Sequence, residues 1–266
     1  MIRDITLGQF YPGGSFIHRL DPRVKIAGTF IYIIALFIIS DFIGFAIAAA
    51  ALAIVIGVSK VPFSFIAKGL KPVFLIIVFT FLINMFMTDG EILYKIGFLR
   101  LTKEGVYNAC FMGIRLVLLI FGSSVLTLTT KPINLTDGIE YILNPFKKVG
   151  LPAHELAMMM TIALRFIPTL LEETDKIMKA QMARGADFES GNLINRAKSL
   201  VPLLVPLFIS AFRIAQDLAM AMEARCYRGG EHRTRLHEMK MLGRDFGTLT
   251  ILILFLALII FESRIM

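Results

Sequence analysis

Charged residues are scarce in this chain of 266 residues. Asp, Glu, Lys and Arg make up 18% of it, whereas hydrophobic residues make up 56% and the mean hydropathy is +0.73. A typical soluble domain carries roughly 25% charged residues. A soluble globule of this size has too little interior for so much apolar surface, so the composition predicts a membrane protein. The same composition excludes a disordered or a collagen-like chain.

Cysteines and the short motifs of common catalytic sites are also rare. The two cysteines, Cys110 and Cys226, are far apart and form no CxxC pair, so neither a disulfide framework nor a zinc site is expected. No phosphate-binding GxxxxGKS or GxxxxGKT segment is present, so any ATP hydrolysis belongs to another chain. No metal-ligand spacing connects the four histidines, which are His18, His154, His232 and His237. We therefore expect no cofactor, no metal and no enzymatic activity.

Five long apolar runs are the main positive feature of the sequence. They cover residues 24–40, 42–58, 73–87, 105–128 and 246–261. A helix that crosses roughly 30 Å of hydrocarbon needs about 20 residues, so the shorter runs must include their flanks. The pattern predicts an all-α, polytopic membrane protein with about five transmembrane helices.

Lysine and arginine are distributed unevenly around these runs. Sixteen of them lie between residues 131 and 244, four lie in residues 1–25, and three lie in the loop between the second and third runs. The opposite side holds only four, which are Lys95, Arg100, Lys103 and Arg264. The positive-inside rule therefore predicts a cytoplasmic N-terminus and an external C-terminus in the cell membrane. We expect the lipid bilayer as a partner and no nucleic acid, despite the net charge of +8.

The segment between the fourth and fifth runs is the longest polar part of the chain. We therefore divide the chain into a membrane region of four spans at residues 1–130, a cytoplasmic region at residues 131–245 and a fifth span at residues 246–266. In the cytoplasmic region, Asn134 is expected to cap a short helix that ends before Pro145.

Two long helices are predicted in the same cytoplasmic region. The first starts near Pro152, a residue type favoured at the first helical position, and ends near Arg184. The second runs from about Leu193 to Arg225. If both crossed the membrane, the loop between them would carry five basic residues to the outer side, against the positive-inside rule. We therefore expect two amphipathic helices beneath the membrane.

The two long helices have similar ends, in which an arginine is flanked by small residues. Gly185 and Gly229 are suited to the left-handed conformation that closes a helix, and capping alone is enough to explain one such end. The two helix ends together are more informative, because two arginines up to about 50 Å apart can each bind a carboxylate. The pair predicts two docking points for two similar cytoplasmic subunits. These points comprise Ala183, Arg184 and Gly185 in the first helix, and Ala224, Arg225 and Cys226 in the second.

Several stretches together resemble the transmembrane T component of energy-coupling factor (ECF) transporters. They are residues 10–13, 18–25, 163–170, 183–185 and 221–227, and the resemblance extends over nearly the whole chain. One departure is Cys226, which stands where the second Ala-Arg motif of the family often has glycine.

This resemblance implies a role and a set of partners. A T component is a membrane scaffold that joins two ABC-type ATPases to a small substrate-binding membrane subunit, for vitamins in many members and for cobalt, nickel or biotin in others. Its cytoplasmic layer of one short and two long coupling helices transmits ATPase motion to that subunit. The resemblance implies that Arg184 and Arg225 each sit in a groove of one ATPase and pair with an acidic residue there.

Two further features have more than one interpretation. Methionines are frequent between residues 158 and 241, where they serve either as core fillers or as a surface that adapts to different partners. On the second interpretation, Met158, Met159 and Met160 contact the substrate-binding subunit. Arg115 lies inside the fourth run, where it either has a functional role or is paired within the helix bundle.

Two other functions remain open at the level of sequence. A membrane-embedded transferase needs polar groups that converge near the bilayer surface, and few are present. A self-sufficient secondary transporter needs internal repeats with broken helices. Either of these would act without partner subunits, whereas the scaffold needs them.

Overall fold

The computed structural model describes residues 10–96, 99–150, 152–186, 188, 199–229 and 239–265. The fold class is all-α, as predicted, with one β-hairpin. The helices, in chain order, are α1 Pro22–Ile38, α2 Phe42–Ser59, α3 Phe63–Lys68, α4 Phe74–Met87, α5 Lys103–Thr129, α6 Pro132–Leu143, α7 Ala153–Ala183, α8 Val201–Ala224 and α9 Gly243–Ile265. The hairpin pairs the antiparallel strands β1 Ile92–Ile96 and β2 Leu99–Thr102 between α4 and α5.

Some predicted features lie outside these described residues. They include the predicted start of the second long helix at Leu193, and Arg3, Arg196, Lys198, His232 and His237.

All five predicted apolar runs form helices, which are α1, α2, α4, α5 and α9. By length and composition, five described helices are able to cross a membrane, namely α2, α5, α7, α8 and α9. The chain is therefore a multi-pass membrane protein. Helices α1 and α4 have only 17 and 14 residues, so they need their flanks to reach across a bilayer. Helices α7 and α8 meet the length requirement, so length alone does not test their predicted location beneath the membrane.

Helices α1, α2, α5 and α9 share a close-packed core within one compact unit, which comprises residues 8–138 and 237–266. Ala35, Leu36, Ala48 and Ile259 are completely buried there. Small residues bring the helices close together, because a Cβ atom added at Gly122 would lie 2.7 Å from the ring of Tyr32. The outer faces are apolar and exposed, as a lipid environment requires.

Polar contacts join the segment before α1, residues 10–21, to the start of α9 in the same unit. We call this segment the leader. Asp245 is 1% exposed, and its two carboxylate oxygens accept the backbone N–H groups of Asp21 at 2.9 Å and Leu242 at 2.8 Å. Asp21 in turn caps α1 by accepting the N–H of Arg23 at 2.9 Å. Lys25 donates to the backbone oxygen of Thr129 at 2.9 Å, at the end of α5. We name these contacts the leader clamp; they tie together the ends of α1, α5 and α9.

Arg115 is paired within the helix bundle. Its Nη2 donates to the backbone oxygen of Ile39 at 2.9 Å, at the C-terminal end of α1. Its guanidinium also lies over the rings of Phe111 at 4.8 Å and Phe37 at 5.6 Å. A carbonyl at a helix C-terminus and the faces of aromatic rings are both attractive to a cation. The structure therefore favours the interpretation in which Arg115 is held inside the bundle.

The short helix α6 begins two residues before its predicted cap. The prediction that Asn134 is the cap is wrong, because Pro132 is the first helical residue and the N–H of Leu135 bonds to the oxygen of Lys131 at 3.0 Å. Proline at the first position has a preset φ and lacks an N–H group that would have no partner there. The helix ends at Leu143, as the following Asn144-Pro145 pair predicts.

Candidate partner-docking site

Helices α7 and α8 belong to a second compact unit, within residues 139–236. Helix α7 has 31 residues, begins at Ala153 directly after Pro152 and ends at Ala183, close to the predicted bounds. Two ion pairs lie along the helix, one between Lys179 and Asp175 at 2.6 Å and one between Lys176 and Glu173 at 3.6 Å. Both pairs are solvent-exposed to a large degree, so they add little stability.

The first helix end has a regular cap that turns the chain sharply after Arg184. The N–H of Gly185 bonds to the oxygen of Met182, and the N–H of Ala186 bonds to the oxygen of Gln181, both at 3.0 Å. Gly185 has a φ of +88°, in the left-handed region. This pair of hydrogen bonds is the Schellman motif, and glycine is the residue type that it favours. The predicted role of Gly185 as a cap is confirmed.

The second helix end repeats this motif with a different residue in the left-handed position. The N–H of Cys226 bonds to the oxygen of Glu223 at 2.8 Å, and the N–H of Tyr227 bonds to the oxygen of Met222 at 3.1 Å. Cys226 itself has a φ of +54°. The prediction that Gly229 closes this helix is therefore wrong. Gly229 has a positive φ, but it lies beyond the cap.

The two ends present the same arrangement of side chains. Arg184 and Arg225 are each the C-cap residue, with an alanine as the last helical residue before it and a left-handed residue after it. All six predicted docking residues are exposed: Ala183, Arg184, Gly185, Ala224, Arg225 and Cys226. Neither guanidinium forms an ion pair or hydrogen bond with any residue in the described ranges. Each arginine is therefore free to form a bidentate contact with a carboxylate of another protein.

Helices α7 and α8 pack against each other and run antiparallel. The side chain of Gln181, near the end of α7, donates to the backbone oxygen of Pro202, near the start of α8, at 3.3 Å. This arrangement places Arg184 beside the start of α8 and Arg225 at its opposite end. The 24 residues of α8 separate the two ends by about 36 Å.

An apolar groove runs between α7 and α8. It has a volume of about 230 Å³. Its walls comprise Ile162, Phe166, Leu170, Ala211, Ile214, Ala215, Leu218, Ala219 and Met222. This groove was not predicted from the sequence. The alanines at 211, 215 and 219 indicate it, because a spacing of four residues places these small side chains on one face of the helix.

The three methionines predicted to contact a partner lie in the first turns of α7. Met159 is 55% exposed and Met160 is 41% exposed, while Met158 is partly buried. None of the three lines the groove. Within the described residues, no cluster of three or more His, Cys, Asp or Glu side chains is arranged to hold a metal ion.

A family model described as CbiQ, cobalt transport protein, matches residues 13–236, a range that includes both arginine-bearing helix ends. Curated relatives with the name energy-coupling factor transporter transmembrane protein EcfT match nearly the full length. The relative from Thermosediminibacter oceani is 61% identical over 246 residues, which cover 92% of this chain and 93% of the relative. The relative from Clostridium kluyveri is 62% identical over 248 residues, with 92% of each chain covered. The relative from Bacillus subtilis is 49% identical over 262 residues, which cover 98% of this chain and 99% of the relative.

Proposed function

This chain belongs to the CbiQ family, and from that premise and its likeness to the EcfT relatives we propose that it is the energy-coupling scaffold of an ECF-type importer. In this role it links two cytoplasmic ABC-type ATPases to a small membrane subunit that binds a vitamin or another micronutrient. The chain itself is not a catalyst. ATP is hydrolysed by the partner ATPases.

The observation that supports this proposal most strongly is the repeated cap at the two ends of the antiparallel pair α7 and α8. Two similar ATPases require two similar docking points, and the pair offers at each end an exposed arginine that has no ion pair or hydrogen bond to another described residue. The alanine before each arginine and the left-handed residue after it leave room for a close approach of another chain. Each arginine then pairs with an acidic residue in a groove of one ATPase, where exclusion of water strengthens the contact.

The proposed membrane topology follows from the charge distribution. The N-terminus lies in the cytoplasm, residues 1–130 provide four spans, residues 131–245 form the cytoplasmic coupling region and residues 246–266 provide the fifth span. The apolar surfaces of α7 and α8 then face the membrane boundary, and their arginine-bearing ends face the ATPases.

The substrate-binding subunit contacts the membrane-facing side of the coupling helices in this proposal. Met159 and Met160 are exposed near the start of α7, and Met158 lies beside them. Flexible thioether side chains are able to repack against partners of different shape, which suits a scaffold that serves more than one substrate-binding subunit.

The proposed mechanism is mechanical. Closure of the two ATPases around ATP changes the distance between their grooves and therefore displaces the two docked helix ends. Helices are stiff along their axes, and α7 and α8 are packed against each other, so the displacement reaches their membrane-facing parts as a change in crossing geometry. The substrate-binding subunit rests on these parts and is reoriented.

Purification of the transporter in mild detergent, with mass spectrometry of the co-purified chains, tests this proposal. The wild-type chain is expected to bring two ABC-type ATPases and one or more small membrane proteins. The single changes Arg184→Glu and Arg225→Glu should each weaken one ATPase contact, because a repelling charge replaces the attracting one, and the double change should remove both ATPases. Arg213→Glu is the matched control, since Arg213 is an exposed arginine in the middle of α8.

Full recovery of the ATPases with the double variant would contradict the docking role. A wild-type chain that is stable, isolated without ATPases and able to transport a solute by itself would instead favour a secondary transporter.

A further inference from the structure

We propose that the surface formed by Lys60, Phe63, Lys68 and Lys71 binds the headgroups of anionic phospholipids. We name these four residues the basic–aromatic surface; it lies between α2 and α4. The inference goes beyond the proposed function and does not rest on it. It requires only that α2 and α4 lie in a bilayer.

The backbone at Lys60 provides the first observation. Lys60 ends α2 with a φ of +55°, and among the described residues only Cys226 shares a positive φ without being glycine. Glycine takes this conformation without a steric penalty, whereas a residue with a Cβ atom is strained. Glycine would close α2 at this position without the strain but would lack the ammonium group. The ammonium group of Lys60 extends from the end of an 18-residue apolar helix, the position at which lysines reach phospholipid headgroups.

The packing of α3 provides the second observation. Ile66 is completely buried and belongs to the core, so one face of this short helix is fixed to the bundle. The side chains that flank Ile66 stay exposed, with Phe63 at 59% and Phe65 at 40%, and Ser64 and Lys68 on the opposite face are exposed as well. The helix therefore lies along the bundle and leaves its two aromatic side chains exposed beside its one lysine, Lys68. Exposed aromatic and basic side chains next to each other are typical of segments at the bilayer interface.

The charges on this surface provide the third observation. No acidic residue occurs between Asp41 and Asp89, whereas three lysines do. All three lysines are exposed, and none of them forms an ion pair with another described residue. Lys68 lies over the ring of Phe65 at 4.6 Å, which holds its ammonium group at the level of the exposed aromatic rings. An uncompensated set of positive charges beside apolar spans attracts the anionic leaflet.

These three observations favour a phospholipid over a protein as the occupant. Phe63 packs edge-on against the ring of Phe121 in the membrane helix α5, with ring centroids 5.6 Å apart, and it remains 59% exposed. The surface is thus continuous with the side of the bundle that faces hydrocarbon. An anionic phospholipid matches both chemistries at once, since its phosphate contacts the lysines and its upper acyl chains contact Phe63.

Native mass spectrometry of the full chain in neutral detergent tests the inference. The protein is exposed to equal amounts of phosphatidylglycerol and phosphatidylcholine with identical acyl chains. The wild-type chain should retain phosphatidylglycerol in clear preference. Each lysine near a membrane surface contributes about fivefold to affinity, so the triple change Lys60→Gln, Lys68→Gln and Lys71→Gln should reduce phosphatidylglycerol binding about 100-fold.

Two matched triple variants serve as controls. Replacement of the same three lysines by arginine keeps the charge and should keep the preference. The changes Lys147→Gln, Lys148→Gln and Lys176→Gln remove three other exposed lysines and should leave it unchanged. Added inorganic phosphate should not compete, because the surface needs the acyl chains as well as the phosphate.

The change Lys60→Gly distinguishes an effect on lipid binding from an effect on the stability of the fold. This change relieves the strained backbone, so the melting temperature of the protein should rise while phosphatidylglycerol affinity falls about fivefold. Equal retention of the two lipids by the wild-type chain would overturn the inference. The inference would also be overturned if the triple change at Lys60, Lys68 and Lys71 to glutamine left phosphatidylglycerol binding as strong as in the control with glutamine at 147, 148 and 176. The same holds if the triple change kept the lipid preference but caused the ATPases to be lost on purification.

Discussion

At the residue scale, Cys226 combines a strained backbone with an exposed position in the second docking motif. Its φ of +54° is a left-handed backbone conformation, which costs L-amino acids about 1 kcal/mol because the Cβ atom crowds the backbone. At the first motif Gly185 adopts the same region without that cost. Both capping hydrogen bonds are nevertheless formed at each of the two helix ends. The second helix end therefore tolerates cysteine in the left-handed position.

We therefore expect Cys226→Gly to stabilise the protein by up to about 1 kcal/mol. The relief of strain is partly offset, since glycine also gains freedom in the unfolded chain. Thermal unfolding in detergent should show a higher melting temperature for this variant. The reciprocal change Gly185→Cys should lower it. A lower melting temperature for Cys226→Gly would mean that the thiol makes a contact worth more than the backbone strain.

Arg115 shows how one charged side chain is accommodated among apolar helices. Its guanidinium bonds to the backbone oxygen of Ile39 and lies over the rings of Phe37, Phe45 and Phe111. The bond satisfies a carbonyl at the end of α1, where helical partners are absent. The arginine therefore fixes the end of α1 to α5. It forms no ion pair with a described residue, so this structural role explains why an arginine is present in a membrane span.

At the element scale, the leader clamp fixes the ends of three helices that are distant in sequence. Asp245 accepts two backbone N–H groups from segments more than 200 residues apart, Asp21 and Leu242. A buried N–H group left without an acceptor costs about 1–3 kcal/mol, and the N–H of Asp21 is buried, whereas that of Leu242 is partly open to water and would lose less. The carboxylate of Asp245 thus holds the start of α9 against the start of α1.

Asp245→Ala should therefore destabilise the protein by about 2–4 kcal/mol, since both N–H groups lose their acceptor. Asp245→Asn should cost less, because its amide oxygen keeps one of the two bonds. The measurement is thermal unfolding, combined with limited trypsin digestion at Lys240 and Arg244, which should become faster in the alanine variant. Asp217→Ala is the control at an exposed position of α8 and should change neither measurement.

At the scale of the whole molecule, the location of residues 131–245 decides how the protein works. Helices α7 and α8 are long and apolar enough to cross a membrane, yet the basic residues around them favour the cytoplasmic side. The two interpretations place the arginine-bearing ends differently, because a spanning pair would carry Arg184 to the outer side.

Cysteine labelling distinguishes these two topologies. With Cys110→Ser, the exposed Cys226 becomes the only native thiol, and a membrane-impermeant maleimide should label it in inside-out vesicles of cells without the ATPases, but not in intact cells. A second variant, Arg184→Cys in a chain without native cysteines, should behave in the same way. A third, Asp89→Cys, places a thiol in the exposed loop between α4 and β1 and should be labelled from outside. Labelling of Arg184→Cys in intact cells would contradict the cytoplasmic coupling region.

Much of this organisation could be predicted from the sequence, because it depends on local chemistry. The apolar runs, the bounds of α7 and the cap at Gly185 follow from hydropathy, helix-terminating residues and the conformational freedom of glycine. The β-hairpin Ile92–Ile96 with Leu99–Thr102 was not predicted, because a short apolar run does not distinguish a strand from a helix. The cap residue Cys226 was not predicted either, since cysteine is seldom left-handed and Gly229 lies only three residues beyond it.

By itself the sequence determined that this is an all-α membrane protein with two arginine-bearing helix ends, since composition and local motifs act over a few residues. Only the tertiary structure decided which groups meet: Asp245 with the leader, Arg115 with the end of α1, and α7 antiparallel to α8 around an apolar groove. These contacts join residues far apart in the chain. They depend on how whole helices pack, and no local pattern specifies that packing.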